Sequence, residues 1–307
     1  MQTETLQSAD GRHFLHVALW LPQEKPKAVV QIIHGMVEHI IRYEEFALFL
    51  VEQGIAVVGH DHLGHGFSST PEEFGHFGDQ KGAEYLVADT AAVYQTYRNR
   101  FPEIPYFILG HSMGSLVLRN FLQQYPTAEI SGAILMGTNH SSQIKMQAAL
   151  LLSKVLMVLQ GKQHPSQFLD RLAFGGFNRR FRPARTPKDW LSRDTEMVDR
   201  YLADKKTQFI FTTQAYHDLF RLTKNAGDPK KIRQGVPDFP VLLISGKEDP
   251  VGNFGKGIIA LQRLLEKCWQ QPIQLHLLPD GRHELLNETN RQEIYQELAE
   301  WFAKYGA

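Results

Sequence analysis

The chain has 307 residues, 43% hydrophobic and 21% charged, which is ordinary for a globular protein and enough for one large domain. Lys plus Arg number 33, as do Asp plus Glu, and no basic stripe breaks the balance, so nothing argues for a nucleic-acid partner. Cys268 is the only cysteine, which excludes an intrachain disulfide. The polar start MQTETLQSADGRHF has no signal-peptide core. No apolar run reaches the roughly 18–20 residues of a membrane span. These features predict a cytoplasmic protein that at most touches a membrane surface.

The chain opens with alternating strand and helix signals. HFLHVALWLP alternates as an exposed-edge strand does. AVVQIIHG (Ala28–Gly35) is a β-branched run ending in glycine, the pattern of a buried parallel strand. RYEEFALFLVEQG (Arg42–Gly54) has helical apolar spacing with a glycine stop. IAVVGHD (Ile55–Asp61) predicts a second buried strand, followed by a polar, Gly-rich loop. AEYLVADTAAVYQTYRNRF predicts a long helix ended by Pro102. YFILG is a strand, SLVLRNFLQQYP a helix and GAILMG (Gly132–Gly137) a strand. This alternation implies a mostly parallel sheet flanked by helices.

From Asn139 to Asp238 the strand signal stops. The segment instead holds four helical stretches, SQIKMQAALLLSKVLMVLQG, SQFLDRLAFGGF, DTEMVDRYLAD and FTTQAYHDLFRLTKNAG, with an irregular basic stretch between them. Strands resume at PVLLISG and IQLHLLP, alternating with helices GKGIIALQRLLEKCW and NRQEIYQELAEWFAKY. The expectation is an α/β core made of residues 1–138 and 239–307, with residues 139–238 inserted as a helical cap over the ligand crevice.

Within FILGHSMGSLVL, Ser112 stands between Gly110 and Gly114, after a buried strand and before a helix. A chain that reverses at once from strand to helix thrusts the residue at the turn upward, and its neighbours two positions away must be small. This is the nucleophile elbow of serine hydrolases. A serine hydroxyl needs a base, and the base an orienting acid. On this topology the chain order is Ser, acid, His, each after a later strand. VLLISG ends in KEDPVG, which offers Asp249 with Glu248 as its rival. IQLHLLP ends in DGRHELLN, which offers His283.

An oxyanion hole takes two backbone donors. Met113 follows the nucleophile. Met36, in IIHGMVEH, is the second, with Gly35 letting that loop fold close. The histidines His34, His39, His60, His62, His65, His76 and His111 cluster in sequence. Their spacing is not that of a helical metal motif, and no cysteine joins them. For most of them loop hydrogen bonds are the expected role, with no metal.

At this point the residues carry a resemblance. The whole chain resembles the monoacylglycerol lipase and lysophospholipase group of α/β hydrolases. HGMVEHIIRYEEFALFL is similar to that group's oxyanion segment, GHDHLGHGFS to its Asp-x-x-Gly-His-Gly-x-Ser loop and GHSMGS to its elbow. SGKEDPVGNFGKGI and GRHELLNE are similar to its acid and histidine loops. The resemblance implies the α/β-hydrolase fold, a Ser112–Asp249–His283 triad and oxyanion amides at Met36 and Met113. It also implies a small-molecule acyl ester as substrate and no cofactor. RTPKDWLSRD is reminiscent of bacterial members, but the cap matches least sharply. The apolar stretch from Gln143 to Leu159 fits either a core helix or the wall of an acyl pocket that touches membranes. An aminopeptidase, a thioesterase and a non-catalytic binding protein on the same fold are the rival readings.

Overall fold

A computed structural model describes residues 1–306. Eight strands form one sheet: β1 (Gln2–Gln7), β2 (Phe14–Trp20), β3 (Ala28–Ile33), β4 (Ile55–His60), β5 (Tyr106–His111), β6 (Gly132–Met136), β7 (Val241–Gly246) and β8 (Gln274–Leu278). Their spatial order is β1-β2-β4-β3-β5-β6-β7-β8. Only β1 with β2 and β2 with β4 pair antiparallel; all other pairs are parallel.

β3 through β7 are buried along their whole length, so both faces need apolar side chains. Alternation then sorts them. Val29 and Ile33 of β3 join Tyr106 and Ile108 of β5 in one core. Val30 and Ile32 join Phe107 and Leu109 in the other. The first core is covered by α2 (Gly82–Arg100), α3 (Met113–Gln124) and α9 (Lys256–Trp269), the second by α1 (Glu44–Glu52) and α10 (Arg291–Lys304).

β2 corrects one expectation, because it is not an edge. β1 pairs with it from Gln2↔Leu19 to Gln7↔Phe14. β1 itself, QTETLQ, is largely exposed. A strand with no buried face carries no apolar period, which is why composition hides it.

Strand order reverses around β3. The chain goes from β3 to β4 on one side and from β4 back to β5 on the other. The carboxyl ends of β3 and β5 therefore lie side by side at a switch point, with Ile33 opposite Gly110. That is where open α/β sheets form their crevice.

Between Met136 and Val241 the chain leaves the sheet and forms α4 (Gln143–Gln160), α5 (Gln167–Phe174), α6 (Thr195–Ala203), α7 (Thr213–Ala226) and the one-turn α8 (Pro229–Ile232). α7 packs on α3 and α2, and α4 lies along α7. A Ser153 Oγ to His217 Nδ1 contact of 2.8 Å joins α4 to α7. Among the described residues no helix is long and apolar enough to cross a membrane.

Candidate active site

β5 delivers the chain to Ser112, whose backbone sits at φ 51°, ψ −116° before α3 begins. This conformation is strained for a non-glycine residue. The glycines around it are required by space. A Cβ on Gly114 would lie 2.0 Å from the Ile33 carbonyl oxygen, and one on Gly110 would lie 2.6 Å from that of Gly114. The helix thus packs straight against β3 and holds Ser112, half-buried, at the crevice.

His283 and Asp249 arrive on the loops after β8 and β7. His283 Nε2 is 2.9 Å from Ser112 Oγ. Its Nδ1 is 3.0 Å from Asp249 Oδ2. The second carboxylate oxygen of Asp249 accepts the Val251 amide at 2.8 Å, which fixes the plane of the acid. Asp249 is fully buried and His283 nearly so. Glu248, the rival acid, points away and pairs with Arg180 at 3.7 Å on the surface. The indole of Trp190, from the β6–β7 segment, lies 5.2 Å from the His283 ring. Sequence reasoning has no means to pair Trp190 with His283.

The loop after β3 passes beside the elbow. A Cβ on Gly35 would come within 3.1 Å of Ser112 Cβ, so only glycine allows this approach. The amides on either side of Met36 are occupied: Gly35 N–H donates to Glu38 Oε1 and Val37 N–H to His65 Nε2. Among the described residues the Met36 amide has no acceptor, and neither does that of Met113 at the first turn of α3. Both residues line the crevice that holds Ser112. Two free donors near a nucleophile are what a developing oxyanion needs.

The histidines mostly act as loop ties. His34 Nδ1 donates to the Gly35 carbonyl at 2.8 Å, and its Nε2 accepts the His62 amide at 3.0 Å. His65 Nδ1 faces the Leu63 carbonyl at 3.0 Å. Asp61 accepts the amides of Ile40 and Phe67 at 2.7 and 2.8 Å, joining the loop after β4 to the loop after β3. His39 reaches Asp204 of the β6–β7 segment at 2.7 Å, and His76 reaches Thr212 at 3.0 Å. His60 departs from the expectation: it is fully buried and neither ring nitrogen has a partner. Burial pushes the His60 and His65 pKa values down to about 4 and those of His34 and His62 well below the ordinary range. Among the described residues no group of three or more His, Cys, Asp or Glu side chains is placed to hold a metal ion.

A further set of charges lies beside Ser112, His283 and Asp249 and is absent from the motif reading. Arg42 meets Glu284 with two bonds of 2.8 and 2.7 Å and Glu38 with one of 2.9 Å. His111 Nδ1 is 3.0 Å from Glu38 Oε1. Burial alone raises the pKa values of Glu38 and Glu284 and lowers that of His111. The opposed charges outweigh it, so both carboxylates are held below, and His111 above, their usual ranges. The signal available in sequence is the four-residue spacing of Glu38 and Arg42. That spacing reads more simply as a pair on a solvated helix face.

Ser112, Met36, Met113 and His283 open onto a cavity of about 1030 Å³. Leu116, Met146, Leu152, Leu172, Phe174 and Phe220 supply apolar wall, while Lys188, Asp170, Tyr201 and Glu284 supply polar wall. Lys188 forms no ion pair among the described residues. Burial lowers its pKa against the opposing pull of Asp170 and Glu284.

The chain is similar to several known proteins. The profile of the family described as serine aminopeptidase, S33, matches residues 24–290. A monoglyceride lipase of Rattus norvegicus is 35% identical over 156 residues, 49% of this chain and 50% of that protein, so the match spans about half of each. Phospholipase YtpA of Bacillus subtilis is 35% identical over 279 residues, 89% of this chain and 94% of that protein. Among solved structures, a thermostable carboxyl esterase of Bacillus coagulans in complex with glycerol superimposes with a TM-score of 0.91 at 25% identity. That match covers 100% of this chain and 99% of the esterase.

Proposed function

The chain belongs to the serine aminopeptidase S33 family and has the α/β-hydrolase fold, and from that premise we propose that it is a serine esterase acting on a lipid-like acyl ester, a monoacylglycerol or a lysophospholipid. The observation that carries this reading is the unbroken line from Ser112 Oγ through His283 to Asp249, at 2.9 and 3.0 Å, opening onto an apolar cavity. Ser112 attacks the ester carbonyl while His283 Nε2 takes the hydroxyl proton. The amides of Met36 and Met113 receive the oxyanion. His283 returns the proton to the leaving alcohol, and Asp249 keeps the ring oriented and stabilises its cation. Water, activated by His283, then releases the acid from the acyl-enzyme. Acyl transfer by this route needs neither metal nor organic cofactor.

The family's description raises an aminopeptidase as the alternative. Such an enzyme needs a carboxylate free to hold a substrate ammonium. Here Glu38 and Glu284 are neutralised by Arg42 and His111. Asp170 accepts from the Tyr216 hydroxyl at 2.8 Å and shares the cavity with Lys188. The wall suits an acyl chain better.

The segment 139–238 acts in this reading as a cap and as the membrane-facing side. Its outer surface exposes Ile144 (83%), Leu151 (65%) and Val158 (86%) of α4 and Phe168 (54%) of α5. Lys145 and Lys154, also exposed, flank them. Exposed apolar side chains along this segment suit contact with a lipid surface, and the lysines suit anionic head groups.

The test is a rate panel of monoacylglycerols, lysophospholipids, p-nitrophenyl esters of graded chain length and aminoacyl anilides, with Ser112→Ala as control. Turnover should favour medium and long acyl esters and vanish in Ser112→Ala. Preference for the anilides would overturn the esterase reading. Leu152→Ser should lower long-chain efficiency by roughly ten- to a hundredfold, since burying one leucine is worth roughly 1.5–3 kcal/mol. Leu151→Ser should change only vesicle-bound substrate.

A further inference from the structure

Glu38 is buried, yet its carboxylate collects four donors. Oε1 accepts the Gly35 amide, the Tyr43 hydroxyl at 2.9 Å and His111 Nδ1 at 3.0 Å. Oε2 accepts Arg42 Nη1 at 2.9 Å. Arg42 continues to Glu284 with its two-pronged contact, and its guanidinium lies 4.8 Å above the Tyr201 ring. His111 Nε2 faces the His283 carbonyl oxygen at 3.3 Å. Both His111 nitrogens thus face acceptors, whereas a neutral imidazole has one N–H. The contacts are satisfied together only by the imidazolium. Two carboxylates and two cations then balance.

A buried ion cluster is weak evidence of stability, because apolar side chains of similar volume often hold a fold as well. What charges add is direction. The members of this cluster are not scattered along the chain. Gly35 immediately precedes Met36, His111 immediately precedes Ser112, and Glu284 immediately follows His283. The three pairs come from the loop after β3, the end of β5 and the loop after β8; Gly35 and His111 bond to the Glu38 carboxylate directly, and Glu284 reaches it through Arg42. None of the four charged groups bonds to Ser112 Oγ or Asp249.

We propose that Glu38 is the positioning hub of the site: with Arg42, Glu284 and His111 it holds the loops after β3, β5 and β8 so that the Met36 amide, the Ser112 hydroxyl and the His283 ring meet. This rests on the esterase reading above. Glu38 acts through those three groups and touches no reacting atom.

The isosteric change Glu38→Gln keeps the volume and removes the charge. Reactive sites are first counted with a fluorophosphonate probe, so that misfolded protein drops out. Per labelled site, kcat should fall ~100-fold with KM within about threefold, the scale expected when catalytic groups shift by about 1 Å. The low-field proton resonance of the His283–Asp249 bond should shift or broaden. Arg42→Lys should keep more kcat than Arg42→Met. Tyr43→Phe removes a single donor, is safe for folding and should lower kcat about fivefold. It decides the matter if Glu38→Gln does not fold. An active, labelled wild type alongside variants that lose thermal stability but keep kcat per site and the proton resonance would overturn the proposal alone. A wild type that neither turns over esters nor takes the label overturns the esterase reading first.

Discussion

The helices around the sheet and the helices between β6 and β7 begin in different ways. None of α1, α2, α3, α9 and α10 has a side-chain hydrogen bond from its N-cap residue. All of α4 to α8 do, from Ser142, Ser166, Asp194, Thr212 and Asp228. The core helices gain their register from a buried face against the sheet, which can exceed the ~1 kcal/mol of a cap. The β6–β7 helices mostly have less apolar burial, as α4 shows with only Leu150 and Ser153 buried, and local capping marks where they begin. At α3 the missing cap has a further meaning. Ser112 occupies the N-cap position, but its hydroxyl lies 2.9 Å from His283 Nε2 rather than on the helix amides. The Met113 amide, at the first helical position, lies outside the reach of an N-cap side chain, which takes the second or third amide.

The largest effect that tests the core side of this contrast is at Asp249. Asp249→Asn should preserve packing but favour the wrong imidazole tautomer, lowering kcat by ~10⁴. Glu248→Gln, on an exposed side chain paired loosely with Arg180, should leave kcat nearly unchanged. Steady-state rates on one soluble ester decide between them, and a larger loss at Glu248 reverses the assignment of the acid.

The next effect concerns acid stability, which also belongs to the core side. His34, His60, His62 and His65 are buried and have folded-state pKa values below the unfolded one, with His60 and His65 at about 4. The unfolded chain therefore binds protons first as pH falls. Stability from these groups is complete above about pH 6.5 and declines below it, by up to about 1.4 kcal/mol per pH unit for each histidine, until the folded pKa is reached. The raised pKa of His111 adds stability only as pH falls to about 6.5 and nothing further below it, whereas the buried carboxyls of Asp89 and Asp218, raised to about 7 and about 6, take up protons in the folded state first and oppose part of the loss below that. Urea unfolding from pH 7.5 to 4.5 should show the net fall. His60→Phe should flatten it, because neither nitrogen of His60 has a partner to lose. A stability curve with the same slope in that variant rules His60 out as a contributor.

The same contrast explains what could be read from the sequence. The inner strands were legible because burial on both faces forces continuous β-branched runs such as AVVQII and VLLISG. β1 was not, since an exposed polar strand leaves no such record, and β2 looked like an edge as a result. Ser112, Asp249 and His283 stand out because each follows a strand in the order the topology demands. Glu38, Arg42 and Glu284 do not, because only tertiary structure turns their i,i+4 spacing and sequence adjacency into a buried cluster. In α4 the apolar run left core and pocket undecided, and the fold divides it. Leu150 faces the core, Met146, Ala149 and Leu152 line the cavity, and Leu151, Val158 and Leu159 are exposed. Ser153, which looks like an interruption of that run, is buried and bonded to His217.

The smallest effect sharpens the contrast most directly, by changing the same residue type at the same helix position in the two regions. Ser142 Oγ accepts the Lys145 amide at 3.3 Å at the start of α4. Ser142→Ala leaves that amide to solvent and should cost about 1 kcal/mol. The loss should show as faster hydrogen exchange in the first turn of α4. Ser112→Ala removes an N-cap serine from α3 that caps nothing. It should leave global stability within about 0.5 kcal/mol of wild type, while turnover should vanish. Alanine and serine share the cost of a positive φ, so backbone strain does not separate them. Equal losses in the two variants would mean that Ser112 supports its helix after all.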